Sequence, residues 1–400
     1  MGLAPRQVKS TRRDASFSTM DIDHGQPPGR RLHRSNVANL DIIGGIPAIT
    51  AIGTPRMIGE TIGQRLKPRL QVLAQYLKEQ LSAALSDANP GRASEDLGSH
   101  LRKLTVPLAR TDPSMWMEIE SIARTTGISE EDLLLIHGWG DLLSHYGCLL
   151  PPMRSSFLGL AAAHTDTGLS RMVYAWHLDP ALFPYITLVK RMPSHGPASI
   201  TLTLAGLHPV AGLSEAGIAT CSNELRIVDG SEGHFTPHLL SSILNAPHFD
   251  DALSRAQLGP RHGGAAIHLL GNNGERATIE LSGQTTARLI DPLPLSPRVH
   301  TNHALDGEVM RWTSRVSDAS SKDRLTHLAG RAVEARACDP AFIASWFGMK
   351  KSLNPGYDSP RQGPDGLAPE TTVLLVMDPG AKTIYAKRGG SPARMESITL

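Results

Sequence analysis

Apolar residues recur every three or four positions in a long segment near the start of the chain. This spacing places them on one face of an α-helix, where they can be buried together. The pattern stops at Asn89-Pro90-Gly91, a sequence typical of a helix end. Pro68 lies inside it and predicts a kink or a restart, because proline removes a backbone hydrogen bond. The apolar positions are Leu66, Leu70, Leu73, Leu77, Leu81 and Leu85.

Shorter patterns fill the rest of the first 147 residues. Residues 40–54 are apolar and β-branched and run into a Gly-Thr-Pro sequence, which predicts a strand followed by a turn. Helices are predicted over residues 113–125 and 130–145, and Ser129 precedes the second with the spacing of a capping box. Residues 40–147 are therefore predicted to form a mostly helical segment.

Beyond residue 148 the pattern changes to short runs that are typical of strands, separated by helical patterns. Clustered strands with helices between the clusters predict an α+β fold in which helices cover antiparallel sheets. Asp378-Pro379-Gly380 predicts a hairpin between the last two runs. The strand runs are residues 200–204, 265–270, 277–281, 372–377 and 382–387; the helical patterns are 237–245, 250–258 and 321–337; residues 353–369 are rich in proline and glycine and predict a loop.

Composition narrows the classes of partner. A net charge of +2 with both signs interspersed gives no electrostatic case for binding nucleic acid or a membrane surface. No apolar run is long enough to predict a membrane span. The 3 cysteines are too few for a disulfide framework and fit a reducing compartment. Residues 1–39 lack an apolar signal core and predict a disordered polar arm. A cytoplasmic protein is the resulting expectation.

Gly147-Cys148 stands where the helical segment ends, and it is a candidate for chemistry. A cysteine at a chain N-terminus carries its own base, because an α-amine with a pKa of about 7.7–8.0 lies beside the thiol. To expose that amine, the Cys148 thiol would attack the Gly147 carbonyl, and water would then open the thioester. The products would be residues 1–147 and 148–400. A buried structural cysteine is the alternative explanation of the pair.

Three motifs follow in order after this pair. A Tyr-Ala-Trp-His-Leu-Asp sequence ends at Asp179, a Gly-Leu-Ser-Glu-Ala-Gly sequence ends at Gly217 and precedes Asn223, and the last motif is His300-Thr301-Asn302-His303. Their order and spacing behind Cys148 resemble the penicillin acyltransferase family of N-terminal nucleophile hydrolases.

The resemblance implies a four-layer αββα sandwich and a set of active-site roles. It implies that Cys148 is the nucleophile, with self-cleavage after Gly147, and that Asp179 is the active-site aspartate. It makes Asn302 the donor of the oxyanion hole, and a neutral amide N–H suits this role because it stabilises a tetrahedral oxyanion without adding a base. The secondary candidates are Asn223, Asp166 and His177.

Members of this family act mainly on non-peptide C–N bonds. The resemblance therefore implies a self-processing amidohydrolase or acyltransferase that forms an acyl-enzyme on Cys148. The expected substrate is a small-molecule amide or acyl thioester, with a coenzyme A thioester and an N-acyl amine both allowed as acyl donors. No cofactor and no metal are expected. Residues 148–400 would form the catalytic chain, and the two chains of the precursor are expected to stay associated.

The chain departs from the family pattern in three places. Leu149 follows the cysteine where the family has serine or threonine, and His177-Leu178-Asp179 stands where the family has Asn-Trp-Asp. The family also has a C-terminal active-site arginine, and residues 365–370 contain none. These departures motivate the main alternative, a non-catalytic relative that acts as a binding module.

Two other enzyme classes are disfavoured by missing motifs. The 17 histidines raise the question of a zinc enzyme, but the chain has no His-Glu-x-x-His and no Cys-x-x-Cys sequence. It also has no Gly-x-Ser-x-Gly sequence, the motif of many serine hydrolases.

Overall fold

The computed structural model describes residues 40–88, 97–147, 153–290, 295–314, 319–347, 373–389 and 394–400. Its helices are α1 (Pro55–Ala88), α2 (Leu97–Thr111), α3 (Pro113–Thr126), α4 (Glu130–His137), α5 (Trp139–His145), α6 (Thr236–Leu244), α7 (Phe249–Ala256), α8 (Gly307–Met310), α9 (Ala319–Val333) and α10 (Pro340–Trp346). Short 3-10 helices cover Ala162–His164 and Pro180–Tyr185.

The strands are β1 (Asp41–Ile43), β2 (Ile46–Gly53), β3 (Arg154–Leu160), β4 (Arg171–His177), β5 (Ile186–Pro193), β6 (Ser199–Leu204), β7 (Leu207–Ser214), β8 (Ile218–Leu225), β9 (Gly264–Gly271), β10 (Arg276–Leu281), β11 (Thr286–Leu289), β12 (Arg298–His300), β13 (Val373–Asp378), β14 (Thr383–Arg388) and β15 (Glu396–Thr399). They form a nine-stranded sheet in the order β1-β2-β5-β6-β7-β8-β9-β10-β11 and a six-stranded sheet in the order β12-β3-β4-β13-β14-β15.

One strand pair departs from the predicted antiparallel plan. β2 pairs with β5 in parallel, whereas the other described pairs are antiparallel. A parallel pair needs a long crossover, which α1–α5 and the β3–β4 hairpin supply here. The N-terminal segment is therefore part of the nine-stranded sheet as well as part of its helical cover.

The two sheets stack face to face with helices on both outer sides. Phe157 of β3 stacks on His268 of β9 with ring centroids 3.7 Å apart, which marks the contact between the sheets. The outer side of the nine-stranded sheet is covered by α1, α3, α4, α6 and α7. On the other sheet, Leu158 and Val173 pack with residues of α9 and α10. The predicted α+β fold with four αββα layers is confirmed.

The apolar pattern of α1 agrees with its environment. The predicted leucines from Leu66 to Leu81 are fully buried, and the helix continues through Pro68 without a break. The segment predicted as one helix over residues 130–145 is two helices, because the chain turns at Gly138. A Cβ at Gly138 would lie 2.6 Å from the Phe235 ring, so this close packing requires glycine. Ser129 caps α4 as predicted, and its Oγ accepts a hydrogen bond from Asp132 N at 3.1 Å.

Most of the other predicted elements are confirmed. β6, β9 and β10 contain three of the five predicted strand runs, and β13 and β14 match the other two to within one residue at each end. α6, α7 and α9 match the helical patterns to within a few residues. Two predictions, the polar arm of residues 1–39 and the loop of residues 353–369, lie outside the described residues. Among the described helices, none combines the length and the apolar character that crossing a membrane requires.

Candidate active site

The site forms where β3 begins, in the space between the two sheets. Side chains alternate along this strand, as in any strand with two different faces. Ser155 and Phe157 point toward the nine-stranded sheet, whereas Ser156 and Leu158 point toward α9 and α10. Ser155 is buried, with only 1% of its surface exposed. The strand register therefore places one hydroxyl in the interior between the sheets.

Two asparagine amides converge on the Ser155 hydroxyl. Asn223 of β8 donates through Nδ2 to Ser155 Oγ at 2.8 Å, and Asn302 Nδ2 lies 3.4 Å from the same oxygen. The carbonyl oxygen of the Asn302 amide accepts a hydrogen bond from the Ser155 backbone N–H at 2.7 Å. The Ser155 hydroxyl donates to the Ser222 carbonyl at 3.3 Å. Two of the predicted residues are thus brought together, around a serine that the motifs did not mark.

A buried chain of polar groups orients the Asn223 amide. Its Oδ1 lies 2.8 Å from His268 Nε2 and 3.0 Å from His300 Nδ1. His300 Nε2 lies 2.8 Å from the Glu280 carboxylate, and both of these side chains are fully buried. With its NH₂ group toward Ser155, the Asn223 amide presents its oxygen to the ring nitrogens of His268 and His300. Two backbone N–H groups hold the Glu280 carboxylate in place.

Arg324 of α9 closes the site from the side of the six-stranded sheet. Its guanidinium donates to the Ser155 carbonyl oxygen, to Ser156 Oγ at 3.0 Å and to Asn302 Oδ1 at 3.1 Å. A planar guanidinium can make such simultaneous contacts because its five N–H groups diverge in fixed directions. The sequence predicted a helix here but contained no signal that selects this arginine from the others.

Two carboxyl groups lie beside Ser155 in a small cavity. Burial raises the pKa of Glu224 to about 7, opposed by Arg226 and reinforced by Asp141. Burial also raises the pKa of Asp141 to about 7, opposed by hydrogen bonds from Thr236. Both groups therefore titrate near neutral pH, the range in which acid–base groups of active sites often titrate. The same cavity is lined by Met153, Tyr174, Trp176, Val210 and Gly264.

The other sequence candidates occupy separate positions. Asp179 is exposed, and its carboxylate caps a 3-10 helix by accepting a hydrogen bond from Ala181 N at 2.8 Å. Asp166 pairs with Arg171, which lies opposite Leu160 at the far end of the β3–β4 hairpin. That end is five residues along the strand from Ser155, or roughly 17 Å. The catalytic roles of Asp166 and Asp179 stay predictions.

His177 and Gly147 complete the predicted set. The buried His177 ring has its Nε2 at 3.4 Å from Ser156 Oγ, which places it at the same end of the hairpin as Ser155. Gly147 follows α5 with φ of +63°, and its N–H donates to the Ser144 carbonyl. Cys148 lies outside the described residues. Its role as nucleophile and the cleavage after Gly147 therefore stay predictions.

Comparison with known proteins gives structural similarity only. The sequence matches no protein-family model and no curated protein. Among solved structures, 72 chains match. They include a mutant conjugated bile acid hydrolase from Clostridium perfringens, with 10% identity over 62% of this chain and 92% of that chain and a TM-score of 0.42.

Two more of these structures are of proteins from other organisms. An N-acylethanolamine-hydrolyzing acid amidase ortholog from Caenorhabditis elegans shows 12% identity over 61% of this chain and 99% of that chain, with a TM-score of 0.40. Penicillin V acylase from Agrobacterium tumefaciens shows 11% identity over 62% and 86%, with a TM-score of 0.34.

Proposed function

We propose that this protein is a self-processing N-terminal nucleophile enzyme in which the nucleophile is the Ser155 hydroxyl. The observation that supports this proposal best is the convergence of the Asn223 and Asn302 amides on Ser155 Oγ, at the first buried residue of β3. Amide N–H groups aimed at a reacting centre stabilise the oxyanion of acyl transfer, and each donor typically lowers the barrier by about 3–4 kcal/mol.

Self-cleavage would expose the base that Ser155 needs. Ser155 Oγ attacks the Arg154 carbonyl carbon, the peptide C–N bond breaks, and the hydroxyl proton passes to the departing nitrogen. Water then opens the ester and leaves Ser155 with a free α-amine, whose pKa of about 7.7–8.0 suits a general base. Asn302 Oδ1, which accepts the Ser155 N–H in the uncut chain, is placed to hold this amine.

Two features of the sequence agree with cleavage at Ser155. Ser156 follows Ser155, so the proposed nucleophile precedes a hydroxyl residue, as in the family that the motifs resemble. Arg324, which contacts both serines, supplies an arginine at the site, although at a different place in the chain from residues 365–370. The missing Gly-x-Ser-x-Gly motif does not bear on this mechanism, because an N-terminal serine takes its base from its own amine.

The proposed reaction is attack on a small-molecule amide or acyl thioester, with an acyl-enzyme on Ser155. The acyl group then passes to water or to an amine. The apolar walls beside Ser155, including Met153, Trp176 and Val210, favour an apolar acyl group. A coenzyme A thioester and an N-acyl amine remain the two proposed donor classes.

Intact-mass measurement of purified protein tests the proposal and separates it from its alternatives. We expect wild type to give chains 1–154 and 155–400. Ser155→Ala should remain uncut, Ser155→Cys should still be cut, and Cys148→Ala should behave like wild type. Chains 1–147 and 148–400, lost in Cys148→Ala, would instead assign the nucleophile to Cys148. If wild type and all three variants stay uncut, and wild type releases no amine from N-acyl amines, the alternative of a non-catalytic binding module is favoured.

A further inference from the structure

Three histidines from distant parts of the chain meet beside the end of α5. His100 lies on α2, His145 lies in the last turn of α5, and His262 lies just before β9. One ring nitrogen from each lies within 4.8 Å of the other two. The ring centroids are 4.9 Å apart for His100 and His145, 5.2 Å for His100 and His262, and 4.4 Å for His145 and His262.

The tautomer of His262 suits a metal ligand. Its Nδ1 lies 2.9 Å from the Ser231 carbonyl oxygen, which can only accept, so Nδ1 carries the proton. Nε2 therefore presents a lone pair. This atom is buried and has no hydrogen-bond partner among the residues that the structure describes. Histidines that bind metals commonly donate their other ring N–H to a carbonyl or carboxylate in this way.

The composition and exposure of the cluster indicate which ion it would take. Three imidazoles, with no carboxylate or thiolate in the described cluster, suit Zn²⁺ or a neighbouring divalent transition metal and not Ca²⁺ or Mg²⁺. His262 is buried, His100 is half-buried and His145 is exposed, so an ion can enter from the side of His145. A tetrahedral ion held by three imidazoles takes a fourth ligand, and water can fill that position.

We propose that His100, His145 and His262 form a binding site for a divalent transition-metal ion such as Zn²⁺. The metal site is separate from the candidate active site around Ser155 and shares no residue with it. His100 and His145 precede residue 155 in the chain, whereas His262 follows it. A bound ion would therefore cross-link the two sides of the proposed cleavage and fix the end of α5.

Titration with Co²⁺ tests the site independently of any activity. Tagless full-length protein, stripped with a chelator, is titrated while the visible absorption bands of low-coordinate Co²⁺ are followed. We expect one equivalent to bind and Zn²⁺ to displace it. His145→Gln should weaken binding by about 100-fold or more, because it removes a ligand. Since His145 is exposed, this change leaves the core intact.

A matched control and a second variant make the outcome decisive. His195→Gln changes another exposed histidine, on the loop after β5, and should leave the titration unchanged. Ser155→Ala should also titrate like wild type, because the ion needs no cleavage. Absence of the Co²⁺ bands, or bands that persist unchanged in His145→Gln, would overturn the proposal.

Discussion

The two asparagine amides around Ser155 carry most of the proposed chemistry at the level of single residues. Asn223 is held by two buried imidazoles, whereas Asn302 is held by the Ser155 N–H and by Arg324. Both amides are thus oriented before a substrate arrives. Preorganised donors of this kind act on the transition state because they need no rearrangement when charge develops.

Replacement of Asn302 tests this role. Asn302→Ala removes a donor that faces Ser155 Oγ, and we expect kcat for an N-acyl amine to fall by about 100- to 1,000-fold with little change in KM. Steady-state kinetics on fully processed enzyme, checked by intact mass, measures the effect. Asn273→Ala, in the exposed turn between β9 and β10, serves as the control. Unchanged kcat in Asn302→Ala would show that this amide does not hold the oxyanion.

Asp141 should make stability depend on pH. Burial raises its pKa from 3.8 in the unfolded chain to about 7 in the folded protein. Its contribution to stability is fully present below pH 3.8 and is lost as the pH rises toward 7, because the folded state then ionises a buried carboxyl at a cost. The loss is on the order of 1.4 kcal/mol for each unit between the two pKa values.

Asp141→Asn isolates this contribution. The variant keeps the shape of the side chain but cannot ionise. Its free energy of unfolding should therefore rise relative to wild type between pH 4 and pH 7, and above pH 7 the two curves of this free energy against pH should run parallel. Urea unfolding at several pH values measures the difference. Parallel curves over the whole range would mean that Asp141 has similar pKa values in both states.

At the level of elements, the packing of α1 against α3 depends on a close approach of the two helices. α1 and α3 approach through Gly59 and Gly63, which lie four residues apart on one face of α1. A Cβ at Gly59 would lie 2.4 Å from the Glu118 carbonyl oxygen, and one at Gly63 would lie 2.8 Å from Thr125 Cβ. No side chain larger than hydrogen fits at either position without moving α3.

Gly59→Ala should therefore destabilise the protein even though alanine favours helices. The expected loss in the free energy of unfolding is about 1–3 kcal/mol, the usual cost of overpacking. Gly330→Ala in α9 is the matched control, because a Cβ there meets no atom of the described residues within 4 Å. It should gain up to about 1 kcal/mol from helix propensity. Denaturant unfolding compares the two, and equal effects would mean that α1 and α3 can separate freely.

At the scale of the whole molecule, the parallel pair of β2 and β5 joins the segment before the proposed cleavage to the rest of the nine-stranded sheet. β2 precedes the proposed cleavage and lies inside the nine-stranded sheet, and Gly44 beside it contacts Glu396 and Arg388. The leucines of α1 are buried in the same core as residues of both sheets. Separation of the two chains would expose this core and break a sheet ladder.

The two proposed chains should therefore remain together after cleavage. We expect one peak of the full mass in size-exclusion chromatography under native conditions, and two chains only in denaturant. The uncut Ser155→Ala variant provides the reference elution volume. Elution of cleaved wild type as two separate species would contradict the shared core.

Sequence alone determined the features that depend on neighbouring positions. The leucine spacing of α1, the cap at Ser129, the strand runs and the hairpin at residues 378–380 are set by local periodicity and turn chemistry, so the pattern predicts them. The motif that contains Asn302 is also local; the structure brings this side chain to Ser155, and its role as an oxyanion donor stays a prediction. Resemblance supplied the four-layer arrangement, which composition and periodicity do not determine.

Only the tertiary structure decided which side chains meet. Arg324 lies 169 positions from Ser155 in the chain, and Asn302 lies 147 positions away. The histidine cluster is also built from distant residues, since His262 lies 162 positions from His100. Contacts over such distances follow from the register of β3 against its neighbours and from the stacking of two sheets. These depend on the packing of the whole core, and no local pattern in the chain records them.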